Sequence, residues 1–416
     1  MNFLKSFLDA HLKYGFLFKR RLKKVNDYYT ISNDKLEQLK QEKIRAHIEN
    51  AYTNSLFYKK LYDDHGVNLS QIQNQEDVKN LPPITKAIIK DQIDKLYIGN
   101  RIRHTSHTSG TSGSPLKVYY DLDCVLNEAA HNEVFRNNAG HHYGQKVVSL
   151  RGVLDKSRMK YFDKFSNTLY LSSYNLSSEY AKFYLDEIER FKPNAILAYP
   201  SSLEILSNFC QSLKRSLNVP VVFTSSETLY DHQKEKIEKM LNTKIFDRYG
   251  NAERTISLVQ FNQEFYEEAK LYSYNEYKEN HILTTNLINP GFPLIRYRVD
   301  DQVEIVSKKP IRIQKIIGRV DDYVVLNDGS KIGRMDHVFK GINNVKYAQI
   351  IQDKKAEFDV NLVIEQQFNN TEKDKIIYNI KKRIGDQATF NINFIHEDEL
   401  IKTSSNKFKL VISRLE

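Results

Sequence analysis

The chain has 416 residues, 40% of them hydrophobic, enough to bury more than one core, which predicts a globular protein of two domains. Its formal charge of +10 comes from 62 Lys and Arg spread among 52 acids, with no basic stripe interleaved with aromatics. This speaks against nucleic-acid binding and favours small anionic ligands. Cys124 and Cys210 lie far apart and form no CxxC, so neither a disulfide framework nor a zinc site is expected, and a reducing cytoplasmic location fits.

Charged residues interrupt the N-terminus at Lys5, Asp9 and Lys13, leaving no apolar run long enough for a signal peptide or a membrane span. Phe3, Leu4, Phe7, Leu8 and Leu12 recur at helical spacing ahead of a basic stretch from Lys19 to Lys24. Such a face either packs on the protein's own body or rests peripherally on a membrane. From Lys35 to Tyr62 the apolar period predicts helix, interrupted at Asn54 and Ser55. Pro82 and Pro83 then stop the chain, and Thr85 is suited to N-cap a short helix.

Between His107 and Lys117, Gly110 and Gly113 alternate with the hydroxyls of Thr108, Ser109, Thr111, Ser112 and Ser114, and Pro115 closes the run. Glycines let backbone N–H groups converge and small hydroxyls add donors, so the loop is suited to wrap a polyphosphate. It is equally a plain Ser/Gly surface loop, and it matches neither the P-loop nor the GxGxxG pattern. The alternation from Leu116 to Leu122 predicts a strand leaving it, which makes the loop a hairpin connection.

Short apolar runs at 146–152, 194–200 and 219–227 alternate with helical patterns, predicting an α/β domain with a largely parallel sheet. Ligands in such sheets sit beyond the carboxyl ends of the strands. That draws attention to Thr224–Glu227 after one strand and to Tyr249, Gly250 and Glu253 after another predicted to end near Asp247. Glu253 is a carboxylate able to hold Mg²⁺, or merely a solvated acid. A strand from Ile282, a turn at Pro290-Gly291 and a second strand through Ile295 to Arg298 lead to Asp300 and Asp301. An acid there accepts hydrogen bonds from ribose hydroxyls or caps a turn. A hairpin turn is predicted at Asp328-Gly329. Alternating strands around one helix then make a small α+β domain, and Lys407 stands in a polar loop before the last strand.

From about Leu36 onward the chain resembles the adenylate-forming ligase superfamily, in its short branch of phenylacetate-CoA ligases and capsule-biosynthesis proteins. The resemblance is carried jointly by LPPITK, TSGTSGSP, AYPSSLEIL, TSSETL, YGNAE, PLIRYRVDD, GRVDD and SNKFK, in that order. It implies a large N-terminal domain of mixed sheets and helices (1–318) that binds ATP and substrate. A small mobile C-terminal α+β domain (319–416) would carry the catalytic lysine.

The implied reaction is attack of a carboxylate on the α-phosphate of ATP, giving an acyl-adenylate and pyrophosphate, followed by transfer of the acyl group to a thiol or amine; coenzyme A is one candidate acceptor. By the resemblance, Thr108, Ser109, Gly110, Thr111, Ser112 and Gly113 grip the β- and γ-phosphates, and Glu253 binds Mg²⁺. Ser225, Ser226 and Glu227 form the adenine-side loop, and Tyr249, followed by Gly250, stacks on the base. Asp301 takes the ribose and Arg319 is a second nucleotide contact. Asp321 is the hinge, and Lys407 is the cation brought to the carboxylate and α-phosphate, where it stabilises the transition state. Three positions depart from the family pattern: Ala252 where a threonine hydroxyl is usual, Asp300 where glycine often precedes the ribose acid, and Asn406 in place of glycine.

Two alternatives stay open on this reading: acyl transfer through a protein cysteine, Cys124 or Cys210, and a degenerate nucleotide-binding protein without turnover. The partners implied are a small carboxylate and its acceptor, and the oligomeric state is left open.

Overall fold

The computed structural model describes residues 15–99, 104–107, 116–151, 154, 158–173, 175–227, 229, 231–279, 281–318, 323–332, 335–339, 342, 344–385, 388–401 and 410–415. The chain divides into two compact units, Met1–Ser106 with Val118–Gly318, and His107–Lys117 with Arg319–Glu416. Among the described residues, no helix is long and apolar enough to cross a membrane.

The first helix, Phe16–Asp27, buries Phe18 and Val25 against Leu126, Ala130, Val134 and Leu271, so the basic stretch packs on the protein's own body. Phe3 to Leu12 lie outside the described residues. Helix Asn33–Asn54 ends where expected: Ser55 breaks it, and its hydroxyl accepts from Tyr58 N to start Leu56–Asp64. Thr85 accepts from Ile88 N and caps Lys86–Ile89.

Strands β1 (His104–His107) and β2 (Lys117–Tyr120) pair as a two-stranded sheet, so the ends of the glycine loop are held together. The strand is shorter than predicted, because the Asp121 carboxylate accepts from Cys124 N and caps the helix Leu122–Asn138.

A ten-stranded sheet follows, containing β3 (Val147–Leu150), β4 (Lys160–Asp163), β5 (Thr168–Leu171), β6 (Ala195–Ala198), β7 (Val221–Ser225), β8 (Lys244–Gly250), β9 (Ser257–Gln260) and β10 (Tyr266–Glu268). Its order is β14-β15-β10-β9-β8-β7-β6-β3-β5-β4, with β14 (Gln302–Lys308) and β15 (Ile311–Gly318) at one edge. Only the central run from β8 to β5 is parallel; the flanks are antiparallel, so the sheet is mixed. Helices Ala181–Phe191, Pro200–Ser212 and Asp231–Leu241 bury Leu185, Ile188, Leu203, Leu206, Ile237 and Leu241 on one face of these parallel strands. The Leu122–Asn138 helix covers the other through Phe135, packed with Val147, Ala195, Val221 and Phe223. Burial on both faces explains the continuous apolar runs that stand out in the sequence.

Strands β11 (Ser273–Tyr277), β12 (Ile282–Asn286) and β13 (Tyr297–Val299) form an antiparallel sheet. β13 begins two residues later than predicted. Arg296, at φ +51°, is drawn off the strand line by two bonds to Glu276 (2.7 and 3.0 Å) and by the Lys79 and Leu81 carbonyls.

In the second unit the Asp328-Gly329 turn joins β16 (Val324–Val325) to β17 (Lys331–Ile332), antiparallel as expected. β18 (Val345–Lys354), β19 (Glu357–Ile364), β20 (Thr389–Phe394) and β21 (Val411–Ser413) make a mixed four-stranded sheet ordered β20-β19-β18-β21. Helix Asn370–Ile384 lays Ile376, Ile380 and Ile384 into a core with Ile350, Val360 and Leu362. This is the small α+β unit that the alternation predicted.

Candidate active site

The carboxyl ends of β7 and β8 are in register, Ser225 beside Arg248. Past Ser225 the chain turns sharply at Ser226, whose φ of +71° is left-handed. Glu227 then reaches sideways: its Oε2 accepts from Ser201 N at 3.0 Å, in the first turn of the Pro200–Ser212 helix. An acid at a helix N-terminus is favourable, and the contact ties the loop after β7 to the helix after β6. Ser225 Oγ accepts from Arg151 Nη2 at 3.2 Å.

β8 does not stop near Asp247 but runs to Gly250, because β9 returns along it, pairing Tyr249 with Leu258 and Gly250 with Ser257. A Cβ at Gly250 would lie 3.2 Å from the Ile256 carbonyl, so the close approach of the two strands favours glycine. Tyr249 OH donates to Asp301 Oδ2 at 2.5 Å, bringing together two predicted site residues 52 positions apart. The loop after β8 is closed by Asn251, which accepts from Thr255 N at 2.9 Å and donates to Thr255 Oγ1 at 2.7 Å; Arg254 takes φ +54°. Within that loop Glu253 is buried, and its Oε1 accepts from Tyr297 OH at 2.9 Å.

Tyr297 is itself held by the Pro-Pro segment: Ile84 N donates to Arg296 O at 3.1 Å and Arg298 N to Ile84 O at 2.9 Å. Two motifs more than 200 residues apart in sequence, LPPITK and PLIRYRVDD, are therefore one structural piece. Asp300, beside the ribose-side acid, pairs with Arg298 at 2.7 Å.

Beneath the Glu253 loop lies a charged cluster that the sequence reading missed. Glu128 accepts from Arg248 Nη2 at 2.8 Å and from Tyr272 OH at 2.5 Å. Burial pushes the Glu128 carboxyl up, but the Arg248 and Arg254 guanidiniums outweigh it and hold the group at about 2. Arg254 also stacks on the Tyr120 ring at 3.9 Å and donates to Cys124 Sγ at 3.3 Å. The signal was present: Cys124, Glu128, His131 and Phe135 recur at helical spacing, and an acid on such a stripe needs buried cations. Asp247 is satisfied by Thr224 Oγ1 (2.5 Å) and Tyr266 OH (2.6 Å), and burial raises its carboxyl.

Both cysteines are buried, and desolvation pushes their thiols up to about 12 for Cys124 and about 11 for Cys210. Neither is presented as a thiolate acceptor, which removes the structural support for acyl transfer through a protein cysteine. Thr108 to Gly113, Arg319, Asp321 and Lys407 lie outside the described residues.

Residues 324–414 match the family model described as the CapK C-terminal domain. Protein CapK of Staphylococcus aureus is 24% identical over 424 residues, covering 95% of this chain and 91% of that protein. A phenylacetate-coenzyme A ligase of Escherichia coli K12 is 22% identical over 355 residues, covering 73% and 75% of the two chains. Among solved structures, 2-hydroxyisobutyryl-CoA ligase in complex with 2-HIB-AMP and CoA superposes with a TM-score of 0.62 at 15% identity, over 92% of this chain and 91% of that one. With its mixed sheet, its small α+β unit and these likenesses along nearly its whole length, the chain is similar in sequence and fold to enzymes of the adenylate-forming ligase superfamily.

Proposed function

We propose that the chain activates a carboxylate as an acyl-adenylate, consuming ATP and releasing pyrophosphate, and then passes the acyl group to a thiol or amine acceptor. The observation that carries this reading is the Tyr249–Asp301 hydrogen bond at the carboxyl end of β8, with Glu253 fixed in the loop that follows. An aromatic ring, an acid suited to ribose hydroxyls and a carboxylate suited to a hard cation are what a nucleotide–Mg²⁺ complex requires. Among the described residues no group of three or more acids, histidines or cysteines could hold a metal alone. Glu253 would therefore hold Mg²⁺ as a single carboxylate, with phosphate oxygens and water completing the shell, as is usual for this ion. The ion would supply neutralisation of charge on the phosphates.

The glycine loop from Thr108 to Gly113 serves as the clamp on the β- and γ-phosphates, Ser225 and Ser226 as the adenine-side turn, and Arg319 as a further nucleotide contact. Glu227 keeps that turn docked on the Pro200–Ser212 helix. Lys407, on the 319–416 domain, swings about Asp321 to neutralise the anionic transition state. A place in cell-surface polysaccharide assembly follows from the resemblance of the motifs to capsule-biosynthesis proteins, and the likeness to CoA ligases supports coenzyme A as acceptor.

Carboxylate-dependent exchange of labelled pyrophosphate into ATP, measured over a broad acid panel, tests the reading. Exchange is expected in the full-length protein and is expected to fall at least 100-fold in Lys407→Ala. Full exchange in that variant would remove the lysine from the mechanism, and ATP binding without exchange on any acid would favour the degenerate alternative.

A further inference from the structure

On the face of the large sheet that carries the Leu122–Asn138 helix, side chains alternate along the strands, so residues 147, 149 and 151 share a side with Val221, Phe223 and Ser225. Arg151 leaves the end of β3, and its guanidinium reaches Ser225 Oγ at the end of β7, spanning the end of β6 between them. It therefore lies across the carboxyl ends of three parallel strands, the side on which ligands bind in sheets of this kind. The Tyr249–Asp301 pair lies on the opposite side of β7, toward β8.

Arg151 is poorly satisfied there. Its Nε is buried with no hydrogen-bond partner, and among the described residues Ser225 is its one hydrogen-bond partner. On the same face His141 is buried edge-on to Phe223 at 6.0 Å, and among the described residues neither ring nitrogen has a hydrogen-bond partner. Arg136, in the last turn of the Leu122–Asn138 helix, acts electrically on both Arg151 and His141, and among the described residues it makes no ion pair. The contrast with Arg248 and Arg254, which share Glu128 on the same face, is direct. Among the described residues the acid that acts on Arg151 is Asp247, whose two oxygens are already held by Thr224 Oγ1 and Tyr266 OH. Leaving buried donors unsatisfied costs about 1–3 kcal/mol each. Such groups persist where a ligand completes them.

We propose that the acid activated by this protein carries a second anionic group, and that Arg151 receives it, with Arg136 and His141 beside it. This inference rests on the ligase reading above. The reacting carboxylate belongs next to the nucleotide on the β8 side of Ser225, whereas the guanidinium reaches in from the β3 side and so meets the far end of the substrate. Burial lowers Arg151 only to about 10, so it is still a cation at neutral pH, and its planar fork suits a carboxylate in two-point contact. His141, lowered to about 4 by burial, is neutral and has one N–H to donate.

The test compares dicarboxylates of three to six carbons with monocarboxylates and phosphono acids of equal length in pyrophosphate exchange, using full-length wild type, Arg151→Gln and Arg151→Lys. Wild type is expected to favour the doubly acidic substrates at least tenfold in kcat/KM, and the phosphono series separates carboxylate from phosphate recognition. Arg151→Gln is expected to lower the diacid-to-monoacid ratio at least tenfold, with Arg151→Lys retaining part of it. Monoacids used as well as diacids by wild type, or an unchanged ratio in Arg151→Gln, would overturn the inference and leave Arg151 as a support for the Ser225 turn. Exchange with no acid of any kind, despite calorimetric binding of ATP and Mg²⁺, would instead refute the ligase reading, and the inference with it.

Discussion

Replacing Glu128 with glutamine keeps the shape of the side chain and removes the negative charge that acts on both Arg248 and Arg254. The cost can be reached by two routes. Holding the carboxyl at about 2 rather than the ordinary 4.5 corresponds to roughly 3 kcal/mol in favour of the folded state. Separately, deleting one partner of a buried ion pair typically costs about 3–5 kcal/mol, because the remaining charge stays buried. Both apply, since the Glu128 and Arg248 side chains are only 16% and 17% exposed. The expected loss for Glu128→Gln at pH 7 is therefore about 3–4 kcal/mol. For a unit this large that is a fall in Tm of about 6–8 °C. Because the folded carboxyl titrates lower than the unfolded one, its contribution is complete above about pH 5 and is lost as the pH falls through about 2. The gap between variant and wild type should accordingly narrow in acid. Urea unfolding at pH 7 and pH 4 measures this, and Glu128→Leu with Arg248→Met is expected to recover only part of the loss, because Arg254 still lacks the carboxylate. A Glu128→Gln loss below about 1 kcal/mol would refute the view that this carboxylate compensates two buried guanidiniums.

Burial lowers His131 to about 3, so between pH 6.5 and that value the unfolded chain binds a proton the folded chain refuses, and stability declines as the pH falls. His131→Phe, which keeps the edge-on packing against Tyr272, should reduce the loss between pH 7 and pH 5 by about 2 kcal/mol; an unchanged pH slope in urea melts would contradict this. A Cβ at Gly291 would lie 2.9 Å from Asp121 Oδ2 and 3.0 Å from Gly99 Cα, and the bonds from Ile98 N and Gly99 N to Gly291 O resist retreat. Gly291→Ala should cost about 1–3 kcal/mol, and an unaltered thermal melt would show that the contact relaxes freely. Tyr249→Phe removes the hydroxyl bonded to Asp301 and is expected to weaken ATP binding roughly tenfold or more by calorimetry. An unchanged Kd would take this pair out of the nucleotide site.

The elements most legible in the sequence are those whose signals are local. Thr85 caps its helix, Ser55 breaks another, and the Asp328-Gly329 turn makes its hairpin, because each depends on residues within four positions. Strand ends were less legible where a distant partner sets them. β8 extends through Tyr249 and Gly250 because β9 pairs with it, and β13 starts late because Arg296 is committed to Glu276 across the sheet. The pairing of Tyr249 with Asp301 has no local signal at all, and neither residue's spacing announces the other.

The two buried arginine environments also separate what packing requires from what it does not. Arg248 is accounted for by a glutamate on the facing helix, and such a pair is legible as a charged position on an apolar stripe once the partner strand is known. Among the described residues Arg151 makes no such ion pair; Asp247 acts on it only from a distance, its oxygens bonded to Thr224 and Tyr266. Folding alone would be served as well by an apolar residue there, since Arg151 makes no ion pair among the described residues and removing it relieves desolvation. Arg151→Met is therefore expected to leave the Tm unchanged or raised while impairing use of acidic substrates. A lowered Tm would mean instead that the Ser225 contact at 3.2 Å is what the residue is for.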